Sequence, residues 1–266
     1  LNTRTLQALS TDAIGALLTS QIEVINTAGL AALTTNQVRA LSTDAVVALS
    51  TFQVSNLTTG TMAALSTAQV AAIETTDIEA LTSRQLAGLA TGTVTALTTD
   101  QVVALTTYQV SNLTTATLRA LTTDQVAAIE TGDIQSLTTG QLAGLATSTV
   151  RALTTDQVVA LTTRQVANLT TATLLALSTD QLVAIETGDI QALTTGQLST
   201  LATSTVAALS TDQVVALQTN QLGALNTAGV RALSTDQLVA LTTAQVSGLN
   251  TRTLQALSTD AIGALL

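Results

Sequence analysis

Apolar residues recur along this chain with a period of eight. From Leu1 through Leu265 every eighth residue is Leu, or Ile at Ile25, Ile73, Ile129 and Ile185. The sixth position of each octad is always aliphatic (Leu6, Ile14, Ile22, Leu30, Val38 and onward), with Met62 the only sulphur. The third position is Thr in every octad except at Ser83, and the eighth is usually Ala. Positions four and seven vary, from Asp100 to Gly140 to Tyr108 and from Val103 to Arg119. The consensus Leu-Thr-Thr-x-Gln-Val-x-Ala fits thirty-three times into residues 1–264 without an insertion. Residues 1–266 are therefore expected to form one continuous array. Its first octad is as apolar as any internal one and Leu265-Leu266 stops in mid-pattern, so the array is expected to be an excerpt of a longer one.

The octad predicts a very short helix. In Leu97-Thr98-Thr99-Asp100-Gln101-Val102-Val103-Ala104, Thr98 followed three residues later by Gln101 has the form of a capping box, in which each side chain satisfies a free backbone N–H of the other. Leu97 and Val102 flank the cap as a hydrophobic staple, and Asp100 in the first turn favours the helix dipole. Each helix has under two turns, too few to stand alone in water, so its stability must come from stacking on neighbours. The predicted fold is an all-α solenoid or superhelix with one capped helix per octad, aliphatic residues inside and Thr, Asp and Gln outside. The alternative is a β-solenoid with positions one, three, six and eight pointing inward. Thr and Val suit strands, and the repeated third Thr suits that model better than capping does. The recurrent Gln, Ala and Leu, and the scarcity of Gly for turning every rung, favour helices.

A longer period lies over the first. Ile73-Glu74-Thr75-Thr76-Asp77-Ile78 returns as Ile129-Glu130-Thr131-Gly132-Asp133-Ile134 and as Ile185-Glu186-Thr187-Gly188-Asp189-Ile190, at a spacing of seven octads. Asn56, Asn112 and Asn168 keep the same spacing. Block duplication explains it, and so does a geometry in which seven octads close a whole number of turns. Residues 1–18 are also identical to residues 249–266.

Composition narrows the function. There is no Pro, Cys, His, Trp or Lys, and the aromatics are Phe52 and Tyr108. Charged residues make up 9% of the chain and the net charge is −9, with eight scattered arginines, so the basic footprint of a nucleic-acid binder is missing. No apolar run approaches the roughly 20 residues that cross a bilayer, and the chain opens with no signal or transit peptide pattern. Without His, Cys or Lys, acid–base and nucleophilic chemistry would rest on isolated carboxylates and capped hydroxyls, and no catalytic residue or cofactor is expected. The acidic sets Glu74/Asp77 (with Glu79), Glu130/Asp133 and Glu186/Asp189 are the one constellation with the chemistry to hold Ca²⁺. Against that, Asp simply replaces Gln at the third helical position and Glu is a solvated first-turn charge. Asn56, Asn112 and Asn168 head Asn-Leu-Thr sequons, and their small eighth position predicts burial with a hydrogen bond to a turn. Phe52 and Tyr108 share an exposed, variable position with Arg164 and Asn220.

Leu153-Thr154-Thr155-Asp156-Gln157-Val158-Val159-Ala160 resembles the first helix of the transcription-activator-like effector repeat, which begins Leu-Thr-Pro-Glu-Gln-Val-Val-Ala. The likeness implies a helical octad. It does not bring DNA binding, since the second helix, base-reading loop and basic surface are absent here. The whole array is similar to the Thr-Ala-Gln-Val-rich octapeptide arrays of very large bacterial secreted or surface proteins. That resemblance implies a structural or adhesive role outside the cell or at its surface, with the chain's own repeats as its partner, end to end or by covalent continuation, and neither nucleic acid nor membrane insertion. The alternatives are a passive spacer in a giant adhesin and a Thr-rich surface that binds ice or a ligand.

Overall fold

In the computed structural model, which describes residues 3–264, every octad is one short helix. There are thirty-three among the described residues, and no strand. The β-solenoid alternative is thereby excluded. The Leu265-Leu266 end lies outside the described residues.

One octad shows how the local sequence makes the element. The helix Thr99–Val103 starts after Thr98, whose extended backbone (φ −73°, ψ 160°) and hydroxyl cap it. The Thr98 Oγ1 accepts from the Gln101 N–H at 3.1 Å, and the Gln101 Oε1 accepts from the Thr98 N–H at 2.9 Å. That is the expected capping box. The chain leaves each helix through the next Leu, which is extended as at Leu121 (φ −59°, ψ 140°), and then enters the next cap. Two extended residues thus turn every corner. No residue with positive φ occurs among the described residues, which is why so few glycines suffice.

By packing, the chain divides into two compact units, Leu1–Ser136 and Leu137–Leu266. Each is an all-α solenoid built alike. Its helices stack on those three octads away: Thr75–Ala80 lies against both Thr51–Ser55 and Thr99–Val103 in the first unit, and Thr187–Ile190 against Thr163–Ala167 and Thr211–Ala216 in the second. The first and sixth positions of the octads fill the core, as with Leu121 and Val126 or Leu209 and Val214. Each buried aliphatic side chain contributes about 2 kcal/mol.

The polar residues divide differently from the expectation. Position-four aspartates such as Asp100 and Asp124 are exposed as predicted. The position-five glutamines are not: from Gln37 onward they are buried, Gln101 and Gln125 to 2% exposure. The physical reason lies in where their amides point.

Candidate functional site

A buried Gln needs partners for two N–H donors and a carbonyl acceptor. Here its Oε1 caps its own helix, while its Nε2 reaches the turn below. Gln125 Nε2 donates to the carbonyl oxygens of Val94 at 2.9 Å and Leu97 at 2.6 Å, 31 and 28 residues earlier. Gln53, Gln85 and Gln109 in the first unit and Gln181 and Gln237 in the second repeat that pair of separations. The bond to the carbonyl 28 residues back is 2.6–2.9 Å wherever it is formed. Those carbonyls belong to the end of a helix, where four C=O groups lack an intrahelical partner. One amide therefore caps the start of its own helix and the end of another. We call this the glutamine brace.

The brace also measures the turn. Gln joins carbonyls 28 and 31 residues back, and Arg39, Arg151 and Arg231 give Nε to carbonyls 25 residues ahead, on Ala64, Ala176 and Ala256. One turn thus takes between three and four octads, close to three and a half. Seven octads then span about two turns, so the longer sequence period is geometric as well as genetic.

Some octads lack the brace. Where Thr replaces Gln, the hydroxyl closes locally, as Thr61 Oγ1 on Thr58 Oγ1 at 2.9 Å. Where Asp replaces it, the carboxyl is buried: Asp77 is 2% exposed and Asp133 3%. Burial raises the Asp77 carboxyl above its ordinary pKa; the Thr51 hydroxyl opposes the shift and the Glu74 charge adds to it. Asp133 is raised by the same causes, burial first, with Thr107 opposing and Glu130 adding.

The acidic candidates are thus placed one by one. Asp77, Asp133 and Asp189 sit at the third helical position as read, while Glu74 and Glu186 are N-caps rather than first-turn residues, and their side chains make no capping bond. Asp77 with Glu74 and Asp133 with Glu130 are separate pairs two turns apart. Among the described residues no three His, Cys, Asp or Glu side chains gather as a metal site. Glu74 and Asp100 instead line one side of an open groove floored by Gln101. The predicted burial of Asn56, Asn112 and Asn168 is corrected. All three are exposed, and each gives Nδ2 to its own helix's last turn, on Phe52, Tyr108 and Arg164 at 2.8 Å. Asn is too long for the small space and swings outward. Phe52 and Tyr108 are exposed to 71% and 73%.

With the octad geometry established, comparison with known families decides the kinship. The model of the ALTTAQ repeat matches residues 22–59, 70–107, 83–115, 107–139, 126–163, 139–171, 182–219 and 214–251. The chain belongs to the ALTTAQ repeat family. No curated protein matches it. The family description names the octad itself, whose Thr-Thr is the cap and first helical residue and whose Gln is the brace.

Proposed function

We propose that this ALTTAQ repeat chain is a structural element of an extracellular or surface fibre, extended by further octads stacked on its ends. The observation that carries the reading is Gln21. Its Oε1 accepts the Leu18 N–H at 2.9 Å like every other brace, but the residue is exposed where its counterparts from Gln37 onward are buried. At the other end Leu233, Leu241 and Leu249 are only half-buried, where internal first-position leucines such as Leu209 and Leu217 are buried. An amide without a turn beneath it and apolar carbonyl-bearing corners without a turn above are complementary. Octads of the same kind, from a continuing array or from a second copy, fit both. Such a contact is head-to-tail and does not close on itself, so it yields filaments. The extracellular setting rests on the similarity to octapeptide arrays of large secreted and surface proteins.

Light scattering with negative-stain electron microscopy tests it. Filaments one solenoid wide that shorten on Gln21→Glu are expected. Monodisperse particles of 26.9 kDa at all concentrations would overturn the reading.

A further inference from the structure

The turn length sorts the charged residues. When the octads are numbered from Leu1 and folded on a seven-octad cycle, every acidic residue but Asp260 falls in the second, third and sixth octads of the cycle. All eight arginines fall in the first, fourth, fifth and seventh. At three and a half octads per turn, a step of four octads is one turn plus half an octad. The order around the solenoid is therefore first, fifth, second, sixth, third, seventh, fourth. The acidic octads are consecutive in that order, and so are the arginine octads. Direct stacking agrees: Thr75–Ala80, Thr99–Val103 and Thr123–Ala127, all acidic, lie one on the next, and so do Thr227–Ala232 and Thr251–Ala256, which carry Arg231 and Arg252.

Each unit thus has an acidic side and an arginine side. The acidic side is most regular in the second unit, where Asp156, Asp180, Asp212 and Asp236 are exposed and 24, 32 and 24 residues apart, one per turn. Three residues after each comes a valine, of which Val159 (41%), Val183 (36%) and Val239 (63%) are well exposed. The first unit repeats the pattern with Asp44/Val47 and Asp100/Val103. A carboxylate beside a valine suits an arginine, whose stem lies on apolar surface while its head pairs with the carboxylate. Arg84, Arg119, Arg164 and Arg252 are exposed on the other side.

We propose that the acidic-valine side of one copy docks on the arginine side of a second copy. The filament then associates sideways as well as end to end. The occupant is argued from charge complementarity: both sides run along the same solenoid, carry opposite sign and keep the same two-turn repeat. The contact joins two different surfaces and so propagates into sheets or bundles. It deepens the fibre reading without requiring it, since single copies have both sides.

Sedimentation velocity and electron microscopy of the full chain test it, without added divalent cations. Sideways association is expected at about 0.01 M salt and is lost at about 1 M, where the Debye length falls from about 30 Å to about 3 Å. An Arg84/Arg119/Arg164/Arg252→Gln variant and an Asp156/Asp180/Asp212/Asp236→Asn variant should each associate sideways about tenfold or more weakly than the parent. Mixing the two should restore one-to-one pairs, because the first retains the acidic side and the second the arginine side. All substituted sites are exposed, and unchanged circular dichroism checks the fold. Single filaments with no sideways contact at low salt would overturn the proposal and leave the fibre reading intact. Paired single copies without filaments would do the reverse. Association that needs calcium and ignores the arginine variant would overturn it in favour of cation bridging between acidic sides.

Discussion

The side-chain amide of Gln125 donates to the carbonyl of Leu97 at 2.6 Å, across one full turn of the solenoid. The same side chain accepts the N–H of Thr122 at 2.8 Å. Neither bond is replaceable by a residue of similar size. Gln125→Leu leaves the Thr122 N–H and two carbonyls without partners, and each such group costs about 1–3 kcal/mol. A loss of about 3 kcal/mol is expected in urea unfolding.

Gln125→Glu separates donation from shape. Glu keeps the capping oxygen but, when ionised, faces the Val94 and Leu97 carbonyls with no donor. Burial raises its folded-state pKa, so its stability relative to the parent is best below the unfolded value and falls as pH rises through the folded one. Denaturation midpoints for the variant should therefore approach those of the parent on acidification. A midpoint difference independent of pH would show that the amide does not face those carbonyls.

The core and the rim should respond oppositely. Val126 is 1% exposed, and Val126→Asp buries an unpaired charge in an aliphatic stack, so local loss of the array is expected. Asp124 in the same octad is exposed, and Asp124→Ser should change stability by no more than about 0.5 kcal/mol. Hydrogen exchange read octad by octad checks both.

Asp77 and Asp133 make acid stabilising in their octads. Both carboxyls have folded-state pKa values above their ordinary value. Their contribution is fully present below the unfolded value and is lost as pH rises through the folded one. Asp77→Gln removes that loss, and it places an amide 31 and 28 residues after Val46 and Leu49, the separations used by the brace. The variant should be more stable than the parent at neutral pH, by about 1–2 kcal/mol, with the advantage shrinking on acidification. A constant advantage would mean that the carboxyl does not titrate in the folded state.

The octad itself was legible because its signals are local. Thr98 and Gln101 cap one helix, and Leu97 and Val102 flank it, all within six residues. What Gln101 does with its other end was not legible, because Val70 and Ile73 lie one turn away and the octad says nothing of turn length. Gln was accordingly expected outside, beside Asp. The third-position Thr was unexplained for the same reason. A Cβ added at Gly88 would lie 3.2 Å from the Thr59 Cβ, and one at Gly248 would collide with Thr219, so this Thr forms the floor under the small eighth residue three octads later. The segregation of Asp and Arg to opposite sides was present in the letters, but only the turn length reveals it.

The brace is the central claim, and exchange of glutamine side-chain amide protons, followed by nuclear magnetic resonance, tests it most directly. The amides of Gln53, Gln85, Gln101, Gln125, Gln181 and Gln237 should be slow to exchange and show contacts to protons of the residues 28–31 positions earlier. Those of Gln255, exposed at a seventh position, should exchange at once. Uniformly fast exchange of the fifth-position amides, with no contact across the turn, would contradict the account.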